Sequence, residues 1–223
     1  MSTATHMDLT HTEALLQVPE GGLASAPRQN IESGIPGVRL NPTLMRHEIF
    51  DAELAEEVLR TGDPSSQVVV LLAKGELRAA SELVAETRFI DPQNFAMRVL
   101  DTSLTRAAGD APRAVNRLRA LLTEFKDTEH ESILQQHLGF AYVESGDVLA
   151  AANRFRKALD LRTAADADAH LIESSRACLE SVLEHTAKTA GSADAPHPAA
   201  VNAAAQHPAP ATAAIALQPP AAG

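Results

Sequence analysis

SILQQHLGFAYVESGDVLAAANRFRKALDLRT, residues 132–163, is the stretch whose reading decides the fold. Leu138 and Tyr142 are four apart and share one face of a helix, Gly146 interrupts it, and Ala151, Phe155 and Ala158 return at helical steps on a second. Small residues at Ala151 and Ala158 allow close approach where two helices cross, and Phe155 is the knob between them. The spacing predicts two antiparallel helices joined by a tight turn.

The same unit recurs upstream. Gly75, Gly109 and Gly146 are separated by 34 and 37 residues, and Ala80, Ala114 and Ala151 by the same intervals, so two independent markers keep one register. The first unit spans about 61–94 and closes at Ile90-Asp91-Pro92, where proline cannot continue a helix. The second spans about 95–128 and the third 132–165, with three extra residues between them. With Leu138, Gly139, Tyr142, Gly146, Ala151, Phe155, Ala158 and Leu159 at fixed offsets, the chain resembles the tetratricopeptide repeat (TPR) family. The resemblance implies an all-α, right-handed superhelical solenoid of antiparallel helix pairs, the first helix of each pair lining a concave groove that binds other proteins.

In the middle unit, strict alignment puts Asp101 and Thr105 where the third unit has Leu138 and Tyr142. Shifting its first helix by one residue makes Met97, Leu100 and Leu104 the buried set, at the expense of one extra residue before Gly109. Under the shifted register the helix presents Arg98, Thr102 and Arg106 to the groove beside Gln136, Phe140 and Glu144 of the third unit. Two guanidinium groups can grip a carboxylate, and a ring beside them can anchor an apolar side chain. The same residues also fit a solvated face, with the arginines paired to neighbours such as Asp101, and a Phe140 that packs under the terminal helix or the N-terminal arm.

Outside the repeats, residues 1–42 are polar and broken by Gly21-Gly22, Pro27 and Gly34-Ile35-Pro36-Gly37, which reads as a disordered arm. The folded domain is expected over 43–188. A first helix is expected from near Leu44, with Leu44, Ile49, Phe50, Leu54, Val58 and Leu59 as its stripe, ending at Thr61-Gly62. Asp63-Pro64 reads as an N-cap followed by proline at the first helical position. A capping helix is expected over 165–188, covering the apolar face that a stack leaves at its end, and then an Ala- and Pro-rich disordered tail over 189–223.

Composition narrows the partners. A net charge of −10, 3% aromatic residues and no tryptophan supply neither the basic face nor the stacking platform that nucleic acid needs, and they disfavour an anionic membrane. Cys178, the single cysteine, excludes an internal disulfide and a cysteine-based zinc site. The start of the chain shows no apolar leader and the longest apolar run, Val68 to Ala73, is far short of a span, so a soluble cytoplasmic protein is the expectation.

Chemistry-bearing motifs are few. His47-Glu48 begins like a zinc-protease helix, but Asp51 stands where the second histidine belongs. His130 and His137 are seven apart, too far for a chelating pair, and read as solvated or groove-lining. With no phosphate loop and no nucleophile elbow, the expectation is a non-catalytic protein without metal or cofactor. It would be a scaffold that binds a peptide or helix of another protein in the groove. An assembly or secretion chaperone for a hydrophobic subunit, and a self-associating structural protein forming homo-oligomers, are the alternatives. The carboxylate clamp of chaperone-binding TPR domains is not matched, because Ser65, Val69, Ile133 and His137 stand in its places.

Overall fold

The computed structural model describes residues 31–193, with side chains to residue 189. Residues 1–30 and 194–223, which include most of the expected arm and tail, lie outside the described residues. The described chain is mostly helical. A three-stranded antiparallel sheet, β1 (Ile31–Glu32), β2 (Val38–Asn41) and β3 (Arg46–Ile49), precedes eight helices: α1 (Ala52–Thr61), α2 (Pro64–Lys74), α3 (Leu77–Ile90), α4 (Phe95–Ala107), α5 (Ala111–Glu124), α6 (Glu131–Glu144), α7 (Val148–Ala164) and α8 (Ala169–Ala193). None of these helices is long and apolar enough to cross a membrane.

Three turns set the helix pairs α2–α3, α4–α5 and α6–α7. Gly75, Gly109 and Gly146 take φ of 78°, 89° and 82°, a region that favours glycine, and a Cβ at any of them would meet open space. Backbone conformation, not crowding, is therefore what requires glycine. After each glycine the next amide bonds back five residues, Glu76 to Leu71, Asp110 to Thr105 and Asp147 to Tyr142, at 2.9–3.1 Å. These bonds satisfy carbonyls that the helix ends would otherwise leave open. Asp110 and Asp147 then cap the following helix through the amides of Arg113 and Ala150, while Glu76 at the same place makes no such bond.

Consecutive helices pack on one another, and α2, α4 and α6 also touch in sequence, forming a layer of first helices. Ala80, Ala114 and Ala151 are fully buried, as are Phe155 and Ala158. Gly139 has a packing reason of its own: a Cβ there would strike the Phe155 ring. Asp63 caps α2 through the amides of Ser65 and Ser66, ahead of Pro64, and α1 and α3 end at Thr61 and Ile90 as expected.

The middle pair keeps strict register, which corrects the one-residue shift. The turn after α4 has the same hydrogen bonds as the other two, with no extra residue before Gly109. Asp101 does occupy the place of Leu138, and ion pairs make that possible: its Oδ2 accepts from Arg88 of α3 at 2.5 Å and from Arg117 of α5. Arg117 also donates to the Thr105 hydroxyl at 2.8 Å. Met97 and Leu100 are buried in either register.

The region before α1 corrects two further expectations. Residues 31–41 form β1, β2 and the turn between them rather than a disordered arm, and the helix expected from Leu44 starts at Ala52, capped by Asp51. Asn41 Oδ1 accepts from the amides of Thr43 and Leu44, Met45 sits at φ 53°, and β2 returns as β3 with Val38 opposite Ile49 and Leu40 opposite His47. Leu44, Phe50 and Leu54, half of the presumed helical stripe, are exposed. The side chains that do bury, Val38 and Leu40, alternate as a strand requires.

This sheet bridges the two ends of the helix array. Its β3 packs against α2 and its β1 against α8. Val38 joins Ala55, Val58 and Val70 in one apolar cluster, while Ile31, Leu40 and Met45 join Phe140, Phe155, Cys178 and Val182 in another. The final helix covers α7 and runs to Ala193, five residues past its expected end.

Candidate functional site

Strict register places equivalent residues of the first helices on one surface. Val69 and Ala73 of α2, Ser103 and Ala107 of α4, and Phe140 and Glu144 of α6 occupy matching positions, and all six line one cleft of about 930 Å³. Met45 and strand β3, Arg46–Ile49, supply another wall, and Leu72, Leu77 and Leu100 add apolar surface. The cleft is therefore built jointly by the repeats and the N-terminal sheet.

Its polar end gathers Arg106, Glu144, His47, His137 and Ser103. Arg106 bonds Glu144 Oε1 at 2.5 Å and the Met45 carbonyl at 3.5 Å, and its guanidinium lies 5.3 Å from the centre of the Phe140 ring. Burial pushes the Glu144 carboxyl up and the Arg106 guanidinium down, each outweighing the pair's mutual attraction. His137 Nδ1 lies 3.3 Å from Ser103 Oγ, and the His137 ring meets Phe140 edge-on at 5.9 Å. Burial, then the positive Arg106, pulls His47 down to about 4. Burial, then Arg106, His47 and Arg162, pulls His137 down to about 3. Both imidazoles are thus neutral near pH 7.

A hydroxyl beside an imidazole invites comparison with a nucleophile and its base. An imidazole of such low basicity accepts a proton poorly at neutral pH, where general-base catalysis works best with a matched pKa. The arrangement offers neutral donors and acceptors next to an aromatic wall.

The six residues singled out in the sequence divide. Arg106, Phe140 and Glu144 line the cleft, although Phe140 is 4% exposed and also packs on Phe155. Gln136 is buried and points elsewhere: its Oε1 accepts from Ser175 Oγ at 2.8 Å and its amide donates to Cys178 Sγ at 3.6 Å. Thr102, 1% exposed, stands at the crossing position of Gly139 and donates to the Val99 carbonyl. Arg98 grips Glu124 with two bonds, at 2.7 and 2.5 Å, and lies over Phe125. The one-residue shift had rotated α4 by about 100° about its axis, which moved Arg98 and Thr102 into the groove and Ser103 and Ala107 out of it.

Ser103 and Ala107 were legible from the strict glycine register alone. His47 carries no usable signal for the cleft in the sequence, because Leu44, Ile49, Phe50 and Leu54 give its short strand the spacing of a helix. Compared with known proteins, the chain matches no family model, no curated protein and no solved structure.

Proposed function

We propose that this protein is a TPR-like right-handed solenoid that acts as a non-catalytic interaction scaffold, taking an extended or helical segment of another protein into the cleft along α2, α4 and α6. The observation that carries the reading is that equivalent positions of three first helices, Val69/Ala73, Ser103/Ala107 and Phe140/Glu144, share one cleft. A segment lying there would cross apolar surface on α2 and α4 and reach the Phe140 ring and the Arg106–Glu144 pair on the far side, the mixture of anchor and polar rim that peptide grooves use. Because β3 forms one wall, the partner also reads the N-terminal sheet.

The test is site-specific photocrosslinking in the full-length chain, with a benzophenone amino acid at Ala73, at Ala107 and, as a control, at exposed Arg78 on α3. Products from both cleft positions that contain one and the same partner segment, and are missing from the control, are expected. Products identical in all three variants, or intramolecular ones alone, would overturn the reading.

A further inference from the structure

Arg98 and Thr102, excluded from the cleft, line a second and smaller cavity of about 240 Å³. Its walls carry three guanidinium groups, one from each of three consecutive helices: Arg88 of α3, Arg98 of α4 and Arg117 of α5. A single lining carboxylate, Glu124, opposes them. Asp101 is the second acid of the group, and one oxygen, Oδ2, serves both Arg88 and Arg117. Three cations thus share two carboxylates. Moreover, Arg88 Nε is buried with no hydrogen-bond partner, an unmet donor that costs free energy until an acceptor reaches it.

We propose that this pocket is an oxyanion site that takes a phosphate group between Arg88, Arg98 and Arg117. Guanidinium forks match phosphate oxygens two at a time and keep their charge at any physiological pH. A cavity of about 240 Å³ leaves room for a phosphate and a few waters, each water taking about 30 Å³. Glu124, whose side chain is 48% exposed, holds Arg98 at the pocket wall and is the group a ligand displaces. The site differs in kind from the large cleft, where the lining cations Arg46, Lys74 and Arg106 are each paired with a glutamate and the histidines are uncharged. It stands independently of the scaffold reading.

The experiment is ³¹P line broadening and thermal unfolding of the full-length protein with inorganic phosphate, glycerol phosphate and acetate, all at one ionic strength set with chloride. Saturable broadening and a raised Tm with phosphate, but not with acetate, are expected. Arg98→Gln should weaken binding at least tenfold. Glu124→Gln removes the competing carboxylate and should tighten it severalfold, and because it alters an exposed acid it stays informative even where Arg98→Gln folds poorly. Glycerol phosphate binding at least as well as the free ion identifies an esterified phosphate as the ligand; weaker binding identifies the free ion, and both support the site. Equal stabilisation of wild type and Arg98→Gln would be a general salt effect and would overturn it, as would acetate binding as tightly as phosphate or no change in affinity for Glu124→Gln.

Discussion

Helices α4 and α6 end in turns with the same backbone hydrogen bonds, yet they fill the same register with opposite chemistry. Where α6 places Leu138, Gly139 and Tyr142, α4 places Asp101, Thr102 and Thr105. Leu138 packs with Leu118, Leu121 and Leu134 in an apolar cluster, whereas Asp101 is held by Arg88 and Arg117. The difference teaches that the turn, not the identity of the core side chain, fixes the register here. A glycine in the left-handed region and its backbone bonds leave α4 no freedom to rotate, so the neighbouring helices supply arginines to meet a carboxylate that cannot leave.

The largest effect is expected where α6 is made to resemble α4 at its crossing point. Gly139→Val introduces a Cβ against Phe155, and overpacking a fully buried ring contact should cost about 3 kcal/mol or more, read as a fall in the denaturation midpoint. Stability close to the native value would mean that Phe155 is free to move aside and that glycine is not required.

A second difference lies at His137, whose counterpart on α4 is Leu100. In the unfolded chain the imidazole takes a proton below its ordinary 6.5, but in the fold it stays neutral down to about 3. Stability should therefore be unaffected above pH 6.5 and fall progressively from pH 6.5 toward 3, by about 2 kcal/mol at pH 5 for this one group. His137→Leu, which copies α4, should remove that part of the acid loss while His47, held at about 4, still contributes its own. An unchanged profile of stability against pH would show that His137 is not buried in neutral form.

The smallest effect is expected at the ion pairs. Asp101→Ala leaves two partly exposed arginines without their carboxylate and should cost about 1–2 kcal/mol. Asp101→Leu restores the apolar residue of α6 and should recover part of that loss, so the two midpoints measured together separate missing charge from missing volume. A leucine variant less stable than the alanine variant would show that α5 has no apolar surface to offer at this crossing.

Legibility in the sequence followed the range of the cause. The turn glycines, the Asp63-Pro64 start of α2, the stop at Ile90-Asp91-Pro92 and the Ala151/Phe155/Ala158 crossing all depend on residues within one or two helical turns, and all could be read. The sheet could not. Val38, Leu40 and Ile49 alternate over runs of only four residues, and Leu44, Phe50 and Leu54 mimic a helical stripe although they are exposed. What makes a strand there is burial against α2 on one side and α8 on the other, the latter separated from β1 by more than a hundred residues of chain.

By itself, then, the sequence determined the helix pairs, and its glycine spacing their common register, because glycine conformation and capping act locally, whereas the apolar period of α4 pointed one residue away. Only the tertiary structure decided which faces those helices present. Whether Asp101 is tolerated depends on Arg88 and Arg117 arriving from two other helices, and whether Phe140 is wall or core depends on Met45 and Phe155 arriving from the β2–β3 turn and a later helix. Both clefts are made of such arrivals. Their charge balance, one pocket with glutamate-paired cations and neutral histidines and one with three guanidiniums against two acids, arises from burial and proximity, which no spacing along the chain encodes.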